Sequence, residues 1–567
     1  MRDGTKLDTL IISPKVATKQ PLPFLINRSP YGLMTTPIGD IPKDLLAEGF
    51  TFVFQDIRGR FKSEGQFVMM RPHRDQHNPS AVDEASDTYD TISYLLNHVP
   101  NNGKAAIYGG SYDGWLSLCA AADPHPALKV AFPAASPLDM WMNDDFHRNG
   151  ALRLSYGFEY SYMMETSKEN EQYKFELPDT YDWYLKLGAL SHVNEKYFKG
   201  QVPTWNGFVQ HPNHDSYWTD QSLAGLLAQG PKIPTISIAG EWDQEDPWGP
   251  QDTFRLFSKH DPNHFNHLLL GPWNHGQWEG VGAHLGPVQF GTSTSAHYKN
   301  DVLIKGLLYY LKGQGDFSEP TADVFVTGTN RWQGYSKWPP KTSSPEKLYL
   351  QAGNALSFSK PGGGNDSYVS DPANPVPYRH RPVEATYGPG SHWYNWQIED
   401  QRFVEDRPDV LTYRTDNLAH DLTIVGTAKA HLVAATSGTD CDWVVKVIDE
   451  YPEDGDGDSK MSKYELPIAM EVVRARFRES GTNPKPVPSG KPLGYTIDLH
   501  GVAHTFKKGH RLMVQVQSTW FPVIDRNPQK FVPNILLAND SDFQKATQTI
   551  YHQPGLESYL ELPVEKM

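Results

Sequence analysis

The stretch Gly109-Gly110-Ser111-Tyr112-Asp113-Gly114-Trp115 constrains this chain more than any other. Residues 105–108 have strand character, two glycines follow, and residues 112–122 run on as an apolar helix candidate. A serine on so sharp a strand-to-helix turn has its hydroxyl lifted clear of the sheet. Glycines flank it because the turn is strained and neighbouring backbone passes close. The second glycine stands three residues after Ser111, where the usual elbow has it at two. Taken alone, the pattern describes an ordinary strand–helix turn as well as it describes a nucleophile elbow, and partners elsewhere in the chain decide between the two.

The surrounding sequence predicts an α/β sheet. Strand candidates at 7–12, 23–27, 51–55, 105–108 and 128–133 are separated by helical spacing at 41–48, 83–98 and 112–122. This is the strand–helix–strand rhythm of a doubly wound sheet. From 138 to 230 strand candidates vanish and aromatic residues crowd in, among them Trp141, Phe146, Tyr156, Phe158, Tyr160, Trp183 and Tyr184. Helical spacing there predicts a cap over the carboxyl ends of the strands, where ligands of such sheets bind. The sheet resumes with strands at 235–239 and 266–270 and helical spacing at 298–311. Beyond 320 the helices stop. Short alternating segments, including 323–327, 347–351, 411–414, 422–434, 443–449, 469–475, 493–499 and 511–517, are punctuated by Gly, Pro and Asn. They predict a β-sandwich, most simply a jelly roll. The expected organisation is a doubly wound α/β domain over 1–137 and 231–320, a helical cap over 138–230 and a jelly-roll β domain over 321–567.

Composition excludes several function classes. With 67 acidic against 52 basic residues the net charge is −15, which disfavours nucleic acid and admits a cationic small molecule. The two cysteines, Cys119 and Cys441, make neither a disulfide framework nor a cysteine-built metal site. No apolar run approaches the ~18 residues of a membrane span, and the N-terminal residues carry no leader pattern. Asp454, Asp456, Asp458 and Glu465 copy positions 1, 3, 5 and 12 of a calcium loop. A serine occupies the sharp-turn position and no helices flank the loop, so it reads as an acidic hairpin. Neither a metal nor a cofactor is expected.

Ser111 needs a base, and the base needs an orienting carboxylate. In sheets of this type the order is serine, acid, histidine, each on a loop after a strand. Asp243 follows the strand candidate at 235–239, and His275 follows the one at 266–270. Asp246 is an alternative acid, and His264, His267 and His284 are alternative bases. Position favours His275, because His264 and His267 precede or lie within the strand.

GGSYDGW, GEWDQEDPWG and GPWNHG, with NRSPYG and FQDIRGRFKSEGQF upstream, resemble the serine hydrolases that include cocaine esterase and X-prolyl dipeptidyl aminopeptidases. Within that group the chain is most similar to the α-amino acid ester hydrolases, which act on β-lactam antibiotics. The likeness extends over essentially the whole chain. It implies an α/β-hydrolase domain with a helical cap and a C-terminal jelly roll, and a triad of Ser111, Asp243 and His275. It also implies an oxyanion hole made by the Tyr112 amide, the donor after the nucleophile, and the Tyr31 hydroxyl. Three carboxylates beside the nucleophile match Asp145, Glu245 and Asp246 and imply a trap for a substrate α-ammonium. At an effective dielectric near 20, an ion pair at 4 Å is worth about 4 kcal/mol before desolvation. Read without the resemblance, Asp144-Asp145 is a helix cap and Glu245-Asp246 a solvated acidic loop.

The implied reaction is acyl transfer from α-amino esters, amides and β-lactams, either to water or to a β-lactam amine. Competing readings are a carboxylesterase or X-prolyl dipeptidyl aminopeptidase without this ammonium site, and an inactive carbohydrate-binding jelly-roll protein. The resemblance also implies a homo-oligomer, a tetramer, and a periplasmic or secreted location where a leader has been removed.

Overall fold

The computed structural model describes residues 1–14, 21–33, 43–75, 77–78 and 80–566. Its first sheet has nine strands: β1 (Thr9–Ile12), β2 (Phe24–Ser29), β3 (Thr51–Asp56), β4 (Ala105–Gly110), β5 (Leu128–Ala134), β6 (Thr235–Gly240), β7 (Asn266–Gly271), β8 (Ala322–Val326) and β9 (Arg331–Tyr335). They are ordered β1-β3-β2-β4-β5-β6-β7-β8-β9. From β3 to β8 neighbours are parallel; β1 and β9 are antiparallel edges.

Strand alternation explains why the central strands are apolar throughout. Phe24, Ile26, Val53, Ala105 and Ile107 face one layer of helices. That layer is α1 (Glu84–His98), through Ile92 and Leu95, and α2 (Tyr112–Ala122), through Ala120 and Ala121. Leu25, Phe52, Phe54 and Ala106 face the other side, where Tyr298, Val302, Leu303 and Leu307 of the helical run 294–312 pack. Both faces are covered, as parallel sheets require. Asp83 starts α1 through a reciprocal capping box: its carboxylate accepts from Ser86 N at 2.7 Å, and Ser86 Oγ accepts from Asp83 N at 2.8 Å. Of the helix expected at 41–48, the described part runs Lys43–Glu48, and Ile41 lies outside the described residues.

The segment after β5 is helical, with α3 (Leu154–Glu165), α4 (Thr180–Leu187) and α5 (Pro203–Gln210). A two-residue hairpin, His147–Arg148 with Ala151–Leu152, precedes them. Phe158 is fully buried among the rings of Tyr173, Trp183, Tyr184, Phe198 and Trp205. At 1.5–3 kcal/mol per buried large side chain, this cluster holds the cap together.

The rest of the chain is β-rich and forms a twelve-stranded sheet. The long strand Leu422–Thr436 bonds Leu493–Phe506 on one side and Tyr559–Glu565 and Ala546–Gln553 on the other. One sequence expectation is corrected here. Residues 323–327 read as the first sandwich strand, yet 323–326 lie in β8, paired with β7 of the α/β sheet, and only Thr327 bridges the β-rich part, at His504. A short alternating strand carries no mark of which sheet it joins, and its buried apolar face suits either.

In the loop with calcium spacing, Asp456 bonds His510 Nε2 at 2.9 Å and Glu465 pairs with Arg414 at 3.2 Å. Among the described residues no helix is long and apolar enough to cross a membrane.

Candidate active site

Ser111 sits between β4 and α2 with φ 62° and ψ −128°, a conformation that side-chain-bearing residues rarely adopt. Three glycines make room for it. A methyl on Gly114 would lie 2.3 Å from the Ala134 carbonyl of β5, one on Gly109 2.5 Å from Asp113, and one on Gly110 2.8 Å from Trp278. The late glycine is therefore where α2 crosses β5 closely enough to exclude any side chain. Ser111 N donates to Ala134 O at 3.0 Å, which pins the turn to the sheet.

β6 and β7 run parallel to β4 in the same sheet, and the loops after them carry the other two expected residues. His275 Nδ1 is 2.9 and 3.1 Å from the two carboxylate oxygens of Asp243. Asp243 Oδ1 also accepts the amides of Glu245 and Asp246, at 2.8 and 2.9 Å. Burial opposes ionisation of Asp243, but the imidazolium and these amides hold its pKa below the ordinary value. Burial likewise favours a neutral His275 ring. Asp243, then Glu245 and Asp145, outweigh it and push the histidine up to about 10. Two alternative bases have other surroundings: His267 Nδ1 faces the Pro320 carbonyl, and His284 is an exposed residue of the short strand His284–Leu285.

The three carboxylates expected to bind an ammonium converge. Asp145, Glu245 and Asp246 are 1%, 4% and 0% exposed. Glu245 Oε1 accepts from Trp393 Nε1 at 2.7 Å, and its Oε2 accepts from the Tyr156 hydroxyl at 3.3 Å. Among the described residues, both oxygens of Asp246 and Oδ1 of Asp145 have no hydrogen-bond partner. Burial, and then the charge of Glu245, raise Asp145 to about 6; burial and the neighbouring acids raise Asp246 well above the carboxylate range. Asp144 accepts the amides of Leu138, Asp139 and Gly249, and its charge adds to that of Asp145 in raising Asp246.

The Tyr112 amide opens α2 beside Ser111, where a helix has free N–H groups. The Tyr112 hydroxyl accepts from Met70 N at 3.0 Å. Tyr31 follows β2, and its hydroxyl is 2.8 Å from that of Tyr160 in the cap.

Sequence reasoning missed the residues that hold these groups in place. Arg153 is fully buried and donates to the carbonyls of Asp144, Asp145, Gln244 and Glu245, stitching the cap entry to the loop after β6. Its guanidinium lies over Tyr156 at 4.6 Å and Trp393 at 5.7 Å. Arg60, also fully buried, joins the Pro30 carbonyl before Tyr31 to the Met164 carbonyl at the end of α3. From the C-terminal half come Trp393, Gln397 (which donates to the Asp243 carbonyl at 3.1 Å) and the Tyr394 carbonyl, which accepts from Asn274 at 2.6 Å. Only the FQDIRGRF run flagged any of these, since Arg60 lies within it.

A strained serine between strand and helix, on a sheet that also presents an Asp-bound histidine, belongs to the serine hydrolases. Comparison with known proteins narrows the class. The profile of the X-Pro dipeptidyl-peptidase (S15 family) matches residues 3–277, and that of the X-Pro dipeptidyl-peptidase C-terminal non-catalytic domain matches 316–561. Cocaine esterase of Rhodococcus sp. (strain MB1 Bresler) is 27% identical over 599 aligned positions, covering 100% of this chain and 97% of that protein. Two solved structures superpose over 100% of this chain and 95% of theirs. One is an aminopeptidase from a marine sediment Thaumarchaeota archaeon (TM-score 0.97, 37% identity), the other an α-amino acid ester hydrolase (TM-score 0.95, 39% identity). The chain belongs to the S15 family and is a serine hydrolase related to cocaine esterase.

Proposed function

We propose that the protein transfers α-aminoacyl groups from esters and amides, with Ser111 as nucleophile and Asp145, Glu245 and Asp246 holding the substrate ammonium. The observation that carries this reading is the buried, under-bonded carboxylate cluster. Burying acids without partners is costly, and a cation carrying N–H donors supplies what their free oxygens lack. Ser111 Oγ attacks the acyl carbon as its proton passes to His275 Nε2, and Asp243 steadies the imidazolium. The proton then goes to the departing alkoxide or amine as the C–O or C–N bond breaks. Water repeats the sequence on the acyl-enzyme, or an amine such as a β-lactam nucleus takes the acyl group instead. The Tyr112 amide and Tyr31 hydroxyl receive the oxyanion, Tyr31 exchanging its bond to Tyr160 for one to the substrate. Tyr156 stacks on Tyr160 and on Trp393, with Tyr387 tilted against Tyr156 and Tyr160, and these rings suit a phenyl group on the α-carbon. β-Lactams with phenylglycine-type side chains fit that description.

The test compares phenylglycine methyl ester with phenylacetate methyl ester, which differ only in the α-amine. A charged hydrogen-bonded contact is worth about 1.5–3 kcal/mol, so kcat/KM is expected to favour the amino ester by about 10- to 100-fold. Equal values contradict the reading. The likeness to an aminopeptidase favours a second reading, release of amino-terminal residues from peptides, which uses the same ammonium site. Turnover of phenylglycyl dipeptides at rates matching the ester selects it.

A further inference from the structure

The two ring nitrogens of His275 have different neighbours. Nδ1 is committed to Asp243. Nε2, the atom that takes the Ser111 proton in the reading above, lies 3.4 Å from Oε2 of Glu245. Glu245 is not free to swing away. Trp393 and Tyr156 each hydrogen-bond one of its oxygens, and Arg153 holds its backbone carbonyl. An imidazole set between two buried carboxylates is stabilised with both nitrogens protonated, because only the imidazolium offers a donor to each. In that form Nε2 has no lone pair, and Ser111 has no base.

We propose that Glu245 is a positioning residue that keeps His275 protonated at rest, and that the substrate ammonium replaces the imidazolium as its partner, freeing His275 to act as base. This rests on the ammonium site proposed above and gives it a second consequence: a cationic substrate both binds the cluster and switches on the nucleophile. Among the described residues, the charged groups placed against His275 fit the exchange. Asp243 and Glu245 come from the loop after β6, Asp145 from the cap entry and Glu279 from the turn after His275. The nearby cation, Arg153, is bonded to the carbonyls of Asp144, Asp145, Gln244 and Glu245. Burial favours the neutral ring, and the attraction of Asp243, Glu245 and Asp145 overcomes it. An ammonium on the cluster cancels part of that attraction and repels the imidazolium directly. A neutral ester leaves Glu245 on Nε2, so its acylation waits for pH to remove the proton.

The pH dependence of labelling by a neutral alkyl fluorophosphonate reads the resting state of His275 in the full chain. The wild-type midpoint is expected in the alkaline range. Glu245→Gln keeps an acceptor for Trp393 and removes the charge, and should move the midpoint down by about one to three pH units. Labelling at pH 7 should rise by about tenfold or more. A second comparison needs no variant: in the wild type, kcat for phenylglycine methyl ester should have its midpoint about one unit or more below that of labelling, since kcat reports the substrate-bound enzyme. An unmoved midpoint in Glu245→Gln, or equal midpoints in the two wild-type measurements, overturns the exchange. Equal kcat/KM for the two methyl esters sinks the ammonium site itself. A preference for the amino ester with unmoved midpoints sinks only the role of Glu245.

Discussion

At the scale of single residues, the site is a set of acids whose charge depends on what they meet. Asp145 illustrates it: with its pKa raised to about 6 by burial and by Glu245, it is neutral below that pH and anionic above it. The sign follows directly. Affinity for a cation should rise with pH through about 6. Benzylammonium, charged throughout that range, should bind the Ser111→Ala protein more tightly as pH climbs from about 5 to about 7, with the midpoint near 6. Calorimetric affinity that stays flat across this interval contradicts the assignment. The strained turn at Ser111 and the pairing of Asp243 with His275 were legible because each of the three residues follows an apolar strand, and a glycine run marks the serine. Arg153 was not. It acts on main-chain carbonyls, which any residue presents, so no sequence pattern betrays it.

At the scale of elements, the elbow depends on how closely α2 can approach β5. Gly114 meets the Ala134 carbonyl where a Cβ would sit 2.3 Å from oxygen. Gly114→Ala should therefore push the helix off the strand and cost about 1–3 kcal/mol as an overpacking change. Because Ser111 N bonds the same carbonyl, phosphonate labelling should slow as well. Wild-type melting and wild-type labelling in this variant contradict the account. Strand periodicity located β2 to β7 to within a residue or two, since burial on both faces makes them continuous apolar runs. It misplaced β8 because alternation reports which face of a strand is buried and not which sheet it extends.

At the scale of the molecule, the candidate site is not confined to the half of the chain that carries Ser111. Trp393 reaches Glu245 and Gln397 reaches the Asp243 carbonyl, both from the region matched by the profile named for a non-catalytic domain. One buried cluster joins Trp115 and Leu116 of the elbow helix, Phe158 and Trp205 of the cap, and Trp393, Trp396, Trp520 and Phe521 of the C-terminal half. A core shared this way predicts a single calorimetric unfolding transition, with loss of labelling coincident with it. Two separated transitions, the first leaving labelling intact, contradict it. These long-range contacts were invisible in sequence, where nothing marks Trp393 and Gln397, more than a hundred positions from the acids they touch.

The most direct test of the central claim, that buried acids choose the acyl group Ser111 receives, is the ratio of kcat/KM for phenylglycine and phenylacetate methyl esters, measured in the wild type and in Asp145→Asn. The account predicts a wild-type ratio of about 10 to 100 that falls several-fold towards one in the variant. A wild-type ratio of one, or a ratio that Asp145→Asn leaves unchanged, contradicts it.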